Sequence, residues 1–210
     1  MSINYLLALL AIAMLAGCAT MSKDECLRAD WYLKGLDDAS QGYALDRLDN
    51  HSRACARVQV VPNTKDYEAG HKKGARLYCV VNKGYSEGRR GASYNGICPR
   101  ELEDSFLRAY RDGQALFSIQ QKIDFLASEV SNNEAFIDAN YDQIHRLKHE
   151  LVDRDSSAQE RRYTLRRIDD LQYEIVELEL RIDRALRERE LLKYDFRTLE
   201  DKHYRQGYTP

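Results

Sequence analysis

His51 and Cys55 stand four residues apart, a spacing that puts two side chains on one face of a helix. With Cys26, Cys79 and Cys98 they supply the donor types of a Cys3His zinc site. The cysteines do not fall into Cys-x-x-Cys pairs, so that site lacks its usual knuckle and no metal is expected. Glu25, Asp30 and His51 are side chains fit for acid–base chemistry. No nucleophile motif, paired-carboxylate signature or phosphate loop accompanies them. The chain is therefore not expected to be an enzyme, and it is assigned no catalytic residue and no cofactor. His51 reads instead as a core histidine bonded to a nearby backbone carbonyl. The run Gly88-Arg89-Arg90-Gly91 places two cations on what reads as a solvated loop. An aromatic followed three residues later by glycine recurs as Tyr32–Gly35, Tyr67–Gly70, Tyr85–Gly88 and Tyr110–Gly113. Residues three apart share a helix face, so the glycine can admit a ring or a neighbouring helix. Packing in a small core is the first reading of this repeat. The second is an aromatic groove for glycan or peptide, formed by Tyr32, Tyr67, Tyr85 and Tyr94. Exposure of those rings as one cluster favours the groove; burial in separate contacts removes it.

An apolar run from Leu6 to Leu15 precedes Leu15-Ala16-Gly17-Cys18. The run is too short for a bilayer span, which needs ~20 residues, and matches the apolar region of a secretory signal. The tetrapeptide resembles the processing site of bacterial lipoproteins. The resemblance implies cleavage before Cys18, a diacylglycerol on its sulfur and an acyl chain such as palmitate on the new amine. Residues 1–17 are then the signal peptide and 18–21 a lipidated tether. Ala19, where aspartate would favour the inner membrane, implies the inner leaflet of the outer membrane, facing the periplasm. With Cys18 set aside, Cys26, Cys55, Cys79 and Cys98 form an even set in an oxidising compartment. They read as two disulfides in any of three connectivities.

Those cysteines belong to elements that change character along the chain. Apart from Gly17 and Gly207, every glycine lies between Gly35 and Gly113. Residues 22–117 read as a small, disulfide-stapled helical domain. Ser22 and Glu25 form a capping box for a first helix ending at Gly35. A second helix spans about Gly42 to Val58, and a third starts near Thr64. The glycine-rich stretch Gly84–Gly96 reads as a loop or short hairpin, with Asn95-Gly96 as a tight turn. Pro99 suits the first turn of a fourth helix carrying Leu102, Phe106, Tyr110, Gly113 and Phe117. Asp24-Glu25-Cys26, Asp30-Trp31, Gly35, His51 with Ala54-Cys55, Tyr67-x-x-Gly70-x3-Gly74, Tyr78-Cys79, Tyr94 with Gly96, Cys98-Pro99 and Ala109-Tyr110-x-x-Gly113 together resemble an uncharacterised family of bacterial lipoproteins, domain of unknown function two-seven-nine-nine. The likeness covers about residues 21–117 and departs from the family pattern at Ala39 and His71. It implies a domain and no activity.

Residues 118–205 carry a second pattern. Ile123, Val130, Ile137, Ile144 and Leu151 alternate with Ile119, Leu126, Asn133, Asn140 and Leu147 in heptad spacing. Ile168, Ile175, Ile182, Arg189 and Phe196 alternate with Leu171, Leu178, Ala185, Leu192 and Leu199 in a later frame, three residues out of step. The break falls near 153–157, where Ser157 and Glu160 form another capping box. The chain either folds back as a helical hairpin or continues as one rod with a stammer. The fold class is mainly α: the stapled domain plus a long coiled-coil hairpin or rod. Asn133 and Asn140 read as register-setting amides that pair with one another. Residues 206–210 read as a disordered tail. With 32 Lys+Arg against 34 Asp+Glu and no basic stripe, no nucleic-acid partner is expected. The sequence thus describes a periplasm-facing lipoprotein, held to a membrane by its lipid. Residues 119–199 would engage a second copy or another envelope protein. The alternative is a module that binds an envelope ligand.

Overall fold

The computed structural model describes residues 20–152 and 156–209. The expected signal peptide, Cys18 and the centre of the expected break lie outside the described residues. The described chain is helical: α1 (Lys23–Leu27), α2 (Trp31–Ser40), α3 (Arg47–Ala56), α4 (Thr64–Tyr78), α5 (Val81–Arg89), α6 (Arg100–Leu151) and α7 (Ala158–Arg205). Among the described residues no helix is long and apolar enough to cross a membrane. The chain divides inside α6 into two compact units, between Arg111 and Asp112.

Side-chain oxygens set several helix starts in the first unit by accepting orphan backbone N–H groups. Ser22 and Glu25 close a reciprocal capping box on α1. Asp30 accepts from the Leu33 amide at the start of α2, and Asn63 from the Asp66 amide at the start of α4. The first helix expected to run to Gly35 is therefore two helices, because Asp30 caps a new one. Gly35 lies within α2, and Gly84 and Gly88 lie within α5, where a loop was expected. These glycines are places of close approach rather than stops. A Cβ on Gly35 would run into the Tyr67 carbonyl oxygen, and one on Gly70 into that of Tyr32. The two Tyr-x-x-Gly repeats of α2 and α4 thus interlock reciprocally, backbone against backbone. Gly84 likewise admits the Phe106 carbonyl. Gly96 sits at φ +68°, as its turn requires.

Two disulfides staple this unit, Cys26–Cys55 and Cys79–Cys98. The first lies in a core with Met21, Trp31, Ala54 and Tyr67; the second in one with Tyr78, Phe106 and Tyr110. Each closed loop stabilises by ~2–4 kcal/mol. Met21 is buried, and its carbonyl accepts from Arg57 at 2.6 Å. Of the segment expected as a tether, Met21 is therefore part of the core and Thr20 is half-buried.

The second unit is a helical hairpin. Ile137 and Ile144 of α6 share a core with Ile168, Leu171 and Ile175 of α7, and Leu126 and Val130 share one with Ile182 and Ala185. Partners run upward in number on one helix and downward on the other. The frame slip that sequence detects costs nothing here, because each seam is satisfied by the other rather than continued past the turn. Ser157 and Glu160 restart the helix with a capping box. Asn133 and Asn140 do not pair with one another: two heptad neighbours on one helix are ~10 Å apart at 1.5 Å per residue. The Nδ2 atom of each is buried without a hydrogen-bond partner among the described residues. The expected disordered tail is tied back instead. Gly207, at φ +90°, turns the chain, and the Tyr208 hydroxyl donates to Asp112 at 2.7 Å.

Candidate functional site

Trp31, Gly35 and Asp38 lie on one face of α2, four and three residues apart, so the helix that buries Trp31 also buries a carboxylate. Asp38 is 1% exposed. His51, from α3, is fully buried, and its Nε2 lies 2.6 Å from Asp38 Oδ2. The hydroxyl of Tyr67, from α4, donates to that same oxygen at 2.8 Å. Arg47 Nε donates to Oδ1 at 3.2 Å, and Lys34 Nζ stands 3.6 Å from it. The other ring nitrogen of His51, Nδ1, lies 2.9 Å from Thr20 Oγ1. With the Nε2 proton facing the carboxylate, Nδ1 accepts from the threonine hydroxyl.

A hydroxyl, an imidazole and a carboxylate thus stand in line, with a phenol on the carboxylate. Burial pushes the Asp38 carboxyl upward. The bonds from His51 and Tyr67 and the Lys34 charge outweigh burial and hold it below the ordinary carboxylate range. Burial and the Asp38 bond both drive the Tyr67 phenol far above its ordinary value, so it stays a donor. A groove of about 440 Å³ lies along α1 and α2, lined by Met21, Glu25, Asp30, Leu33 and Asp37 among others. Another of about 520 Å³ is lined by His71, Asn95 and Pro99 among others. Thr20, Asp38 and His51 line neither, so the array faces the interior. Its geometry ties α2, α3 and α4 together through one buried carboxylate, and the segment before α1 joins them through His51.

The residues named from sequence separate accordingly. Glu25 and Asp30 serve as helix caps and do not join His51. His51 is a core histidine, but its partner is the Asp38 carboxylate rather than a backbone carbonyl. A backbone carbonyl is what His71 finds, that of Tyr43, at 2.8 Å. Cys55 is consumed by its disulfide. Arg89 ends α5, and Arg90 pairs with the buried Glu87, so neither lies on a free loop. The four tyrosines do not form one surface. Tyr67 and Tyr85 are buried, Tyr94 packs on Phe106 with centroids 5.1 Å apart, and Tyr32 alone of the four is exposed. Asp38 and Thr20 went unnamed. The spacing from Trp31 to Asp38 signals the first; nothing local signals the second.

Residues 30–115 match the family described as protein of unknown function (DUF2799). That span takes in both interlocked glycines, the buried Asp38–His51–Tyr67 array and three of the four disulfide cysteines. It stops short of the hairpin's second helix. No curated protein and no solved structure matches the chain.

Proposed function

We propose that this chain is a lipid-anchored protein of the bacterial envelope, facing the periplasm from the outer membrane, whose hairpin arm makes protein–protein contacts. The stapled unit is its non-catalytic body. The processing-site sequence at Leu15–Cys18 and the two disulfides support the compartment. One observation carries the role of the arm. After α6 and α7 have closed their seam, Phe125, Phe136, Tyr141, Tyr173, Leu191 and Tyr194 remain more than half exposed. Large apolar side chains left exposed along both helices mark a surface that a partner covers. Binding of a glycan or peptide by the Tyr/Gly repeat has lost its support, because Tyr67 and Tyr85 are buried, Tyr94 packs on Phe106 and only Tyr32 is exposed.

Photo-crosslinking from Gln172, an exposed position on α7, tests the reading in cells. Covalent protein adducts at Gln172, absent when the photoreactive residue sits at exposed Lys65 of α4, are expected. No protein adduct at Gln172, or the same adducts from Lys65, would sink the proposal.

A further inference from the structure

We propose that two copies of this chain pair through their arms in antiparallel overlap, the basic tip of each lying on the acidic shank of the other. This rests on the arm being a contact surface and names what it contacts. Residues 145–152 and 156–167, on either side of the turn, hold six Lys/Arg against two Asp/Glu. Arg146, Lys148, Arg161, Arg162, Arg166 and Arg167 are all exposed. Directly behind them the sign reverses. Residues 131–144 of α6 contain Glu134, Asp138 and Asp142, and residues 168–180 of α7 contain Asp169, Asp170, Glu174, Glu177 and Glu179. Neither stretch holds a lysine or arginine. The shared core of Ile137, Ile144, Ile168, Leu171 and Ile175 brings the two stretches together, so the eight carboxylates form one shank.

Elsewhere the arm settles its charges locally, as in Arg187–Asp183 and Lys193–Glu190. No such pair forms within the shank among the described residues. Segregated charge repels itself in a single hairpin and is relieved by an opposite block. A two-fold axis near residues 167–168 sets each tip against the other shank, and an isologous contact of this kind closes at two copies. Parallel pairing would set like on like. The 13 residues 168–180 span ~20 Å, enough to receive the tip. Exposed rings also stand on both blocks: Tyr163 on the tip, and Phe136, Tyr141 and Tyr173 on the shank. Exposed ion pairs are individually weak and salt-screened, so charge sets the orientation while the rings supply the contact.

A photoreactive residue in place of Tyr163, in the full-length chain made in its own cells, tests the pairing. The expected adduct has twice the chain mass and joins residue 163 to a peptide from 131–144 or 168–180. Arg162→Glu with Arg166→Glu should lower that adduct about ten-fold, and adding Glu174→Arg with Glu177→Arg should restore it to within about two-fold. Arg162, Arg166 and Glu174 are exposed and Glu177 is half-buried, and unchanged helical circular dichroism confirms that the variants fold. A 163-to-163 adduct, or one indifferent to charge reversal, overturns the antiparallel overlap. Adducts of residue 163 to a different protein overturn self-pairing but leave the arm as a contact surface. Adducts to lipid at 163, with protein adducts from Gln172 retained, do the same. Silence at both Tyr163 and Gln172 overturns both readings.

Discussion

Asp38 is the residue on which the first unit turns. Its two oxygens receive His51, Tyr67 and Arg47, so removing it strands a buried imidazole and a buried phenol. Asp38→Ala should cost about 3–5 kcal/mol in denaturant unfolding, the range for breaking a buried pair from one side. The pH dependence has a definite sign. The folded carboxyl titrates below its ordinary value, so folding favours the ionised form. The resulting stability is complete above the unfolded value of ~4 and is lost as pH falls through the lower folded value. Unfolding measured from neutral pH downward should show wild type and Asp38→Asn converging below about pH 4. An advantage that persisted undiminished in acid would contradict this. At this scale the sequence was half legible. His51 stood out by its type, whereas Asp38 was masked by its neighbour Asp37, and only phase with Trp31 and Gly35 separates the two.

Helices were most legible where they begin, because a cap is a local bond between a side chain and an amide three residues on. Their ends and interiors were less so. Gly35, Gly84 and Gly88 look like stops in one dimension, yet they serve neighbours that only tertiary structure supplies. Gly70→Ala should therefore destabilise by about 1–3 kcal/mol or more, by forcing α2 and α4 apart, although alanine is the better helix former. A rise in melting temperature would refute the interlock. The hairpin offers the opposite case. Asn133 is buried with an unpartnered amide, so Asn133→Leu should stabilise the arm by roughly 1 kcal/mol or more, read as a higher melting temperature of the full chain. If the substitution destabilises, the amide has a partner that the single hairpin does not show.

For the whole molecule, composition marked two regions, and the structure divides the chain into two units within one continuous helix. The heptad frames exposed the break at the turn. They could not choose hairpin over rod, since that depends on which surface covers each seam. Disulfide partners were equally hidden, because connectivity is a matter of distance in space. Thiol alkylation before and after reduction, followed by peptide mapping, should find Cys26 joined to Cys55 and Cys79 to Cys98. Any crossed pair would require a different helix arrangement.

Thr20 is fastened to His51, and Met21 is sunk in the core beside it. Only Ala19 separates Thr20 from the cysteine proposed to carry the lipid. Two residue steps reach at most ~7 Å. A lipoprotein on a long leash can sample any height and attitude above its bilayer. This one would have almost no slack: the stapled unit would ride at the headgroups with its pose prescribed by a few bonds. Splicing a flexible spacer after Ala19 would leave the fold and the acylation alone and change only that altitude, which makes standoff distance a variable to be set at will.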